Sequence, residues 1–255
     1  MPVAYARSFA GRHRSTQANR QLGLTLAFVA GAINAGGFLA VQQYTSHMTG
    51  IVSAMADNLA LGAYDLVLSG AGGLLCFLLG AACCAVMVNY SRRRVMHSEF
   101  ALPLLLEALL LLCFGLLGAR LSSIDGLFVP VTVMLLCFIM GLQNALITKL
   151  SKAEIRTTHI TGIVTDIGIE LGKLFYCNSR TATQQPKVLA DRNKLQLLSQ
   201  LALCFGLGGV LGALGFKHVG YLSTVPLALV LVILAIVPAL DDLGFLLRRR
   251  KRRKR

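Results

Sequence analysis

Two stretches of this chain repeat one another. Phe28-Val-Ala-Gly31-Ala-Ile-Asn34-Ala35 reaches His47-Met-Thr49-Gly50-Ile51-Val52 after eleven residues, and Phe138-Ile-Met-Gly141-Leu-Gln-Asn144-Ala145 reaches His159-Ile-Thr161-Gly162-Ile163-Val164 after thirteen. The likeness continues downstream, where Cys76-Phe77-Leu-Leu-Gly80 matches Cys204-Phe205-Gly-Leu-Gly208 and Leu102-Pro103-Leu faintly echoes Val225-Pro226-Leu. An internal duplication in an apolar chain points to a membrane protein assembled from two related halves, a plan common among transporters.

Composition places the chain in a bilayer. With 55% hydrophobic and 14% charged residues, it has too little polar surface to cover a soluble globule. A helix needs about 20 apolar residues to cross a hydrocarbon core of about 30 Å. Six segments qualify: Leu22 to Val41, Leu66 to Asn89, Phe100 to Ala119, Phe128 to Ile147, Leu198 to Val219 and Leu222 to Leu240. None alternates with the period of a strand, which excludes a β-barrel.

If each segment crosses once, all but Arg120 and Lys217 of the 25 Lys and Arg fall on one side. That bias predicts cytoplasmic termini. Two shorter apolar stretches, Ile51 to Gly62 and Ile163 to Gly172, each follow a His-x-Thr-Gly. A full crossing by both would move Arg92, Arg93 and Arg94 outside, so each is expected to be the returning half of a re-entrant hairpin. The first would enter from outside and the second from the cytoplasm.

The predicted fold is therefore all-α: six transmembrane helices plus two re-entrant half-helix hairpins, in two inverted repeats of three spans. A basic cytoplasmic tail over 1–21 precedes a single membrane domain over 22–240. The first repeat covers about 22–120 and the second about 127–240. A polybasic tail over 241–255 follows. Because each repeat crosses an odd number of times, the second sits upside down relative to the first. Arg248 to Arg255 is read as a cytoplasmic anchor touching anionic lipid rather than a nucleic-acid patch. The Arg-rich first 20 residues resemble a presequence, yet the charge rule accounts for them, and the first span is read as retained.

The seven cysteines match no zinc spacing, so no metal or cofactor is expected. Gly208-x-x-x-Gly212 reads as a close helix contact rather than a dinucleotide loop. There is no His-Glu-x-x-His, metal set or serine nucleophile motif, so an enzyme is not expected. Chemistry should sit at the hairpins. Thr49 and Thr161 are expected to cap the returning half-helices, with Gly50 and Gly162 giving close approach. Two helix N-termini would then face the bilayer centre and suit an anion or polarised solute. His47 and His159, two residues earlier, suit two duties, binding solute or a proton and bracing the hairpin. Asn34 and Asn144 either line the pathway or bridge helices.

Three carboxylates are candidates for proton or ion coupling. Glu107 falls well inside the third span, where a lipid-facing charge is expensive. Asp57 and Asp166 lie in the half-helices, with Glu170 one turn beyond Asp166. A structural partnership with a buried His or Asn is the other reading of Glu107.

The pairing of Ser46-His47-Met48-Thr49-Gly50 with Thr158-His159-Ile160-Thr161-Gly162, together with Gly-x-x-Asn-Ala at Gly31 and Gly141, resembles the YoaK-type family of bacterial integral membrane proteins over about Leu22 to Leu240. The resemblance implies an inner-membrane protein of six or seven spans, of permease type and with no assigned solute. Two positions depart from the family pattern: Ile51 follows Gly50 where Asn is expected, and Asn34 stands where Asp is frequent. The function expected is transport of a small polar or anionic solute across the lipid bilayer, with a passive channel or a non-transporting membrane scaffold as the alternatives.

Overall fold

The computed structural model describes residues 16–96, 98–121, 128–150, 159–177 and 187–253. Most of the N-terminal tail, the repeat boundary at 122–126 and Thr158 lie outside the described residues. The fold is all-helical. Its elements are α1 (Thr16–Val41), α2 (Met48–Ala60), α3 (Tyr64–Arg93), α4 (Ala101–Leu121), α5 (Phe128–Leu150), α6 (Ile160–Phe175), α7 (Arg192–Val219) and α8 (Thr224–Arg253).

Local chemistry sets several boundaries. Asp191 caps α7 by accepting from the backbone N–H groups of Asn193 and Lys194, both at 3.0 Å, as a short acidic side chain does at a helix start. Ser98 caps α4 in the same way, through the Ala101 N–H at 3.0 Å. Between α7 and α8 the chain turns through the short 3-10 segment Gly220–Ser223. Gly220 has φ 68°, a conformation that glycine takes without a Cβ penalty. Two limits differ from the hydropathy reading. α1 is described from Thr16, ahead of Leu22, and Arg20 within it is tied in, its Nε and Nη2 donating to Gln200 Oε1 at 3.2 and 2.7 Å. α8 runs past Leu240 to Arg253, since Leu and Arg are strong helix formers and neither Gly nor Pro interrupts the run after Gly244.

Three helix pairs carry the packing: α1 on α7, α3 on α5, and α4 on α8. Glycines set the first two. A Cβ on Gly31 would collide with the Phe205 carbonyl, and one on Gly208 with the Phe28 carbonyl. The same pair of contacts recurs with the halves exchanged, Gly141 against the Phe77 carbonyl and Gly80 against the Phe138 carbonyl. Gly212 lies equally close to the Ala32 carbonyl. Backbone-to-backbone approach of this kind is how helices associate where lipid is as apolar as Leu.

The register gives the directions. Along α1 and α7, Arg20 meets Gln200, Phe28 meets Gly208 and Gly36 meets Phe216, so both numbers rise together and the helices are parallel. Gly72 meets Met134 and Gly80 meets Phe138, so α3 and α5 are parallel too. By contrast, Gly37 touches Leu136 while Gln143 Nε2 donates to the Leu26 carbonyl at 3.2 Å, which makes α1 antiparallel to α5. It follows that α1 and α3 are antiparallel. The chain between them, residues 42–63, therefore ends beside the level at which it left α1.

The outer faces are apolar as well. Leu75, Leu78 and Leu79 on α3 and Leu203, Leu207 and Leu211 on α7 are exposed, and a helix that is apolar all round without being buried belongs in lipid. Among the described residues, four helical stretches are long and apolar enough to cross a bilayer: Gln17–Val41, Tyr64–Arg93, Pro130–Leu150 and Arg192–Ile236. The last contains α7 and part of α8. Ala101–Leu116 is a shorter apolar stretch.

Gly208→Ala and Gly80→Ala should each lower the melting temperature of the purified protein, because the new methyl would meet a backbone carbonyl that cannot swing away. A loss of about 1 to 3 kcal/mol is expected for such overpacking. Gly206→Ala, which adds a Cβ into open space, should melt like the parent. Equal melting of all three would mean that the glycine contacts do not hold the bundle.

Candidate functional site

The link between α1 and α2 is folded back onto α1. Gln42 takes φ 56°, unusual for a residue with a side chain, and its N–H still bonds to the Phe38 carbonyl at 2.7 Å. Tyr44 then stacks on Phe38 with ring centroids 4.5 Å apart. Ser46 Oγ donates to Asn34 Oδ1 at 2.8 Å. Asn34 thus fastens the hairpin to α1.

Both α2 and α6 begin two residues earlier than the Thr-Gly turns suggested. His47 is the N-cap of α2 and His159 that of α6, and neither start has a side-chain cap. Thr49, Gly50, Thr161 and Gly162 lie in the first helical turns instead. The His47 ring lies over Gly50, where a Cβ would meet it, whereas no described atom lies within 4 Å of the matching position on Gly162. His47 and Thr49 are exposed, as are His159, Thr161 and Gly162.

A cavity of ≈ 440 Å³ opens beside the first hairpin. The end of α1 and the link contribute Phe38, Gln42, Gln43 and Tyr44; the start of α2 contributes His47 and Gly50. Asn58 and Met55 from α2 face Ser69 and Gly70 from α3 to complete the wall. Of the residues the sequence marked, His47 and Gly50 line this space and Asn34 holds its rim through Ser46. His159, Thr161 and Gly162 do not line it. Asn144 donates to the Met140 carbonyl at 2.9 Å on its own helix.

The second hairpin is tied down by charge. Glu170, buried, accepts from Lys173 Nζ at 2.9 Å and from the Asp191 N–H at 2.9 Å. Lys194 lies 3.6 Å from Asp166 and 3.9 Å from Glu170. Asp166 is thus an ion-pair partner of α7. Asp57 is exposed on α2. Glu107 is fully buried on α4 and neither carboxyl oxygen has a hydrogen-bond partner. A buried carboxyl with no hydrogen-bond partner among the described residues marks a candidate functional position.

Two more orphans escaped the sequence reading. Gln143 Oε1 and Thr45 Oγ1 are buried without partners. Gln143 was legible as a difference: it stands where the first repeat has Ile33, a polar residue in one copy and an apolar one in the other. Thr45 carried no such signal.

The sequence profile of a protein family of unknown function, DUF1275, matches residues 22–237. The UPF0700 transmembrane protein YoaK of Bacillus subtilis (strain 168) is 26% identical over 185 residues, covering 71% of this chain and 77% of that protein. No solved structure matches. Outward-facing apolar helices, a duplicated core and a profile match over most of the length agree, and the chain belongs to the DUF1275 family of membrane proteins, the YoaK type.

Proposed function

We propose that the protein is a transporter for a small polar solute rather than an enzyme, working through six spanning helices and two re-entrant half-helices in two inverted repeats. On this reading α1, α3, α4, α5, α7 and α8 cross the bilayer. α2 has 13 residues and rises about 20 Å, short of a core of about 30 Å. The antiparallel relation of α1 and α3 supports a hairpin that returns to its own side. The charge bias supports cytoplasmic termini in a bacterial inner membrane, with the basic tails against anionic lipid.

The observation that carries the reading is the cavity at the uncapped start of α2. Irregular backbone at membrane depth is tolerated where it lines a water-filled space, and the 42–47 link does so with amide, imidazole and phenol groups turned to it. His47 and Gly50, with Asn34 behind them, form the solute site on this side; Thr49, in the same helical turn, does not line the cavity. His159, Thr161 and Gly162 line the exit on the opposite face when the halves rock, and Asn144 braces α5 through the Met140 carbonyl. Glu107 is the coupling carboxyl, since it is buried with no partner; Asp57 and Asp166 are the lesser candidates.

Cysteine labelling on a cysteine-free background tests the topology. Val95→Cys and Tyr176→Cys should react from the cytoplasmic side, and Leu222→Cys and Gln43→Cys from outside. External labelling of Val95→Cys overturns the six-span reading. Function is tested in proteoliposomes with the compound that most raises the melting temperature in a metabolite panel. Uptake should saturate, and His47→Ala should weaken binding by about 1 to 3 kcal/mol, as loss of a buried hydrogen bond does. Glu107→Gln should flatten the pH dependence of uptake more than it changes binding. Linear, non-saturating flux would make the protein a passive channel.

A further inference from the structure

The two hairpins have been furnished differently. Register fixed by His47 and His159 sets Ala54 against Asp166 and Asn58 against Glu170; register fixed by Phe77 and Phe205 sets Leu66 against Lys194, Ser69 against Leu197 and Gly70 against Leu198. In the second repeat these positions hold the Asp166, Glu170 and Lys194 ion pairs and the buried Leu198. In the first, the same five positions are neutral, three of them (Ala54, Ser69 and Gly70) are small, and all five line the cavity.

The wall carries no Asp, Glu, Lys or Arg. Its hydrogen-bonding groups are the amides of Gln42, Gln43 and Asn58, the His47 imidazole, the Tyr44 phenol and the Ser69 hydroxyl, which together offer both donors and acceptors. Phe38, Ile51, Met55 and Leu66 supply apolar wall. Asp57 and Asp65 are exposed and outside the wall, so neither provides a ligand inside. A charge brought into such a space loses hydration with no opposite charge to replace it, whereas an uncharged solute exchanges water for amide partners at little cost. The volume of ≈ 440 Å³ has room for about fifteen waters at about 30 Å³ each.

We infer that the first-hairpin cavity is a site for an uncharged solute that carries both donors and acceptors along an apolar face, and that its second-repeat counterpart has been closed by ion pairs and leucines. The inference rests on the transporter reading for its purpose, and it narrows the solute class from polar to uncharged.

Ser69→Cys, on a cysteine-free background, tests it with three methanethiosulfonates that differ in charge: hydroxyethyl, sulfonatoethyl and trimethylammonioethyl. Rates are normalised to Leu61→Cys, which is 81% exposed. The neutral reagent should be favoured over both charged ones by at least about tenfold, the ratio set by a barrier difference of about 1.4 kcal/mol. Gly70→Leu, which copies Leu198 and displaces the flexible Met55 side chain, should slow all three at Ser69→Cys by a similar factor. If that variant fails to fold, Ala54→Cys probed with and without Ser69→Leu makes the same comparison. Equal normalised rates, or a preference for either charged reagent, overturn the uncharged class. No labelling by any reagent in the folded protein overturns the cavity as an accessible site. A neutral preference without solute uptake in proteoliposomes sinks the transporter reading and leaves this inference standing; saturable uptake without the preference does the reverse.

Discussion

Everything in this fold depends on four glycines meeting four carbonyls. In water, helices are driven together because their apolar faces leave solvent, but that gain is absent once the surroundings are lipid tails. What remains is close contact, and Gly31, Gly80, Gly141 and Gly208 provide it by letting backbone touch backbone. The contacts are exchanged between the halves, so the first helix of each repeat is held by the long helix that follows the other repeat's hairpin. Each hairpin is then slung from a helix pair that belongs to both halves.

That arrangement frees the hairpins to diverge. The scaffold contacts are made at Phe28, Phe77, Phe138 and Phe205, away from the starts of α2 and α6, so changes around Asn58 or Glu170 leave them untouched. One hairpin has gained a network in which a buried carboxylate is satisfied by an ammonium and a backbone N–H. The other has kept Ser69 and Gly70 and with them an open wall. Symmetric scaffolds with asymmetric furnishings are expected where one backbone plan has to present two different surfaces.

Much of the helical framework was legible because membrane helices write themselves as long apolar runs, and the matched glycines were legible as a duplicated pattern. What escaped was anything decided by a local hydrogen bond. Arg20 is tied to Gln200, distant in sequence. α2 and α6 start after His47 and His159 with no side-chain cap, so the Thr-Gly pairs that read as helix starts fall inside the first turns. The cavity was visible only as Ser69 and Gly70 in place of two leucines, a difference without meaning until α2 is known to lie against α3. Glu107 was marked correctly as deep, yet its lack of any partner is a three-dimensional fact.

The exchange of partners also governs the order in which the chain can assemble. Arg20 and Gln200 are separated by 180 positions, and the glycine pairs of α1 and α7 are spaced alike. During synthesis α1 enters the bilayer with its glycine face unmatched, and its mate is made only near the end. Loop closure over such a span is slow relative to local contacts, so the pairing of α1 with α7 is expected to form after the local packing of α2 on α3. A truncated chain ending before α7 would leave that face permanently open, which gives membrane quality control a clear mark by which to recognise an unfinished molecule.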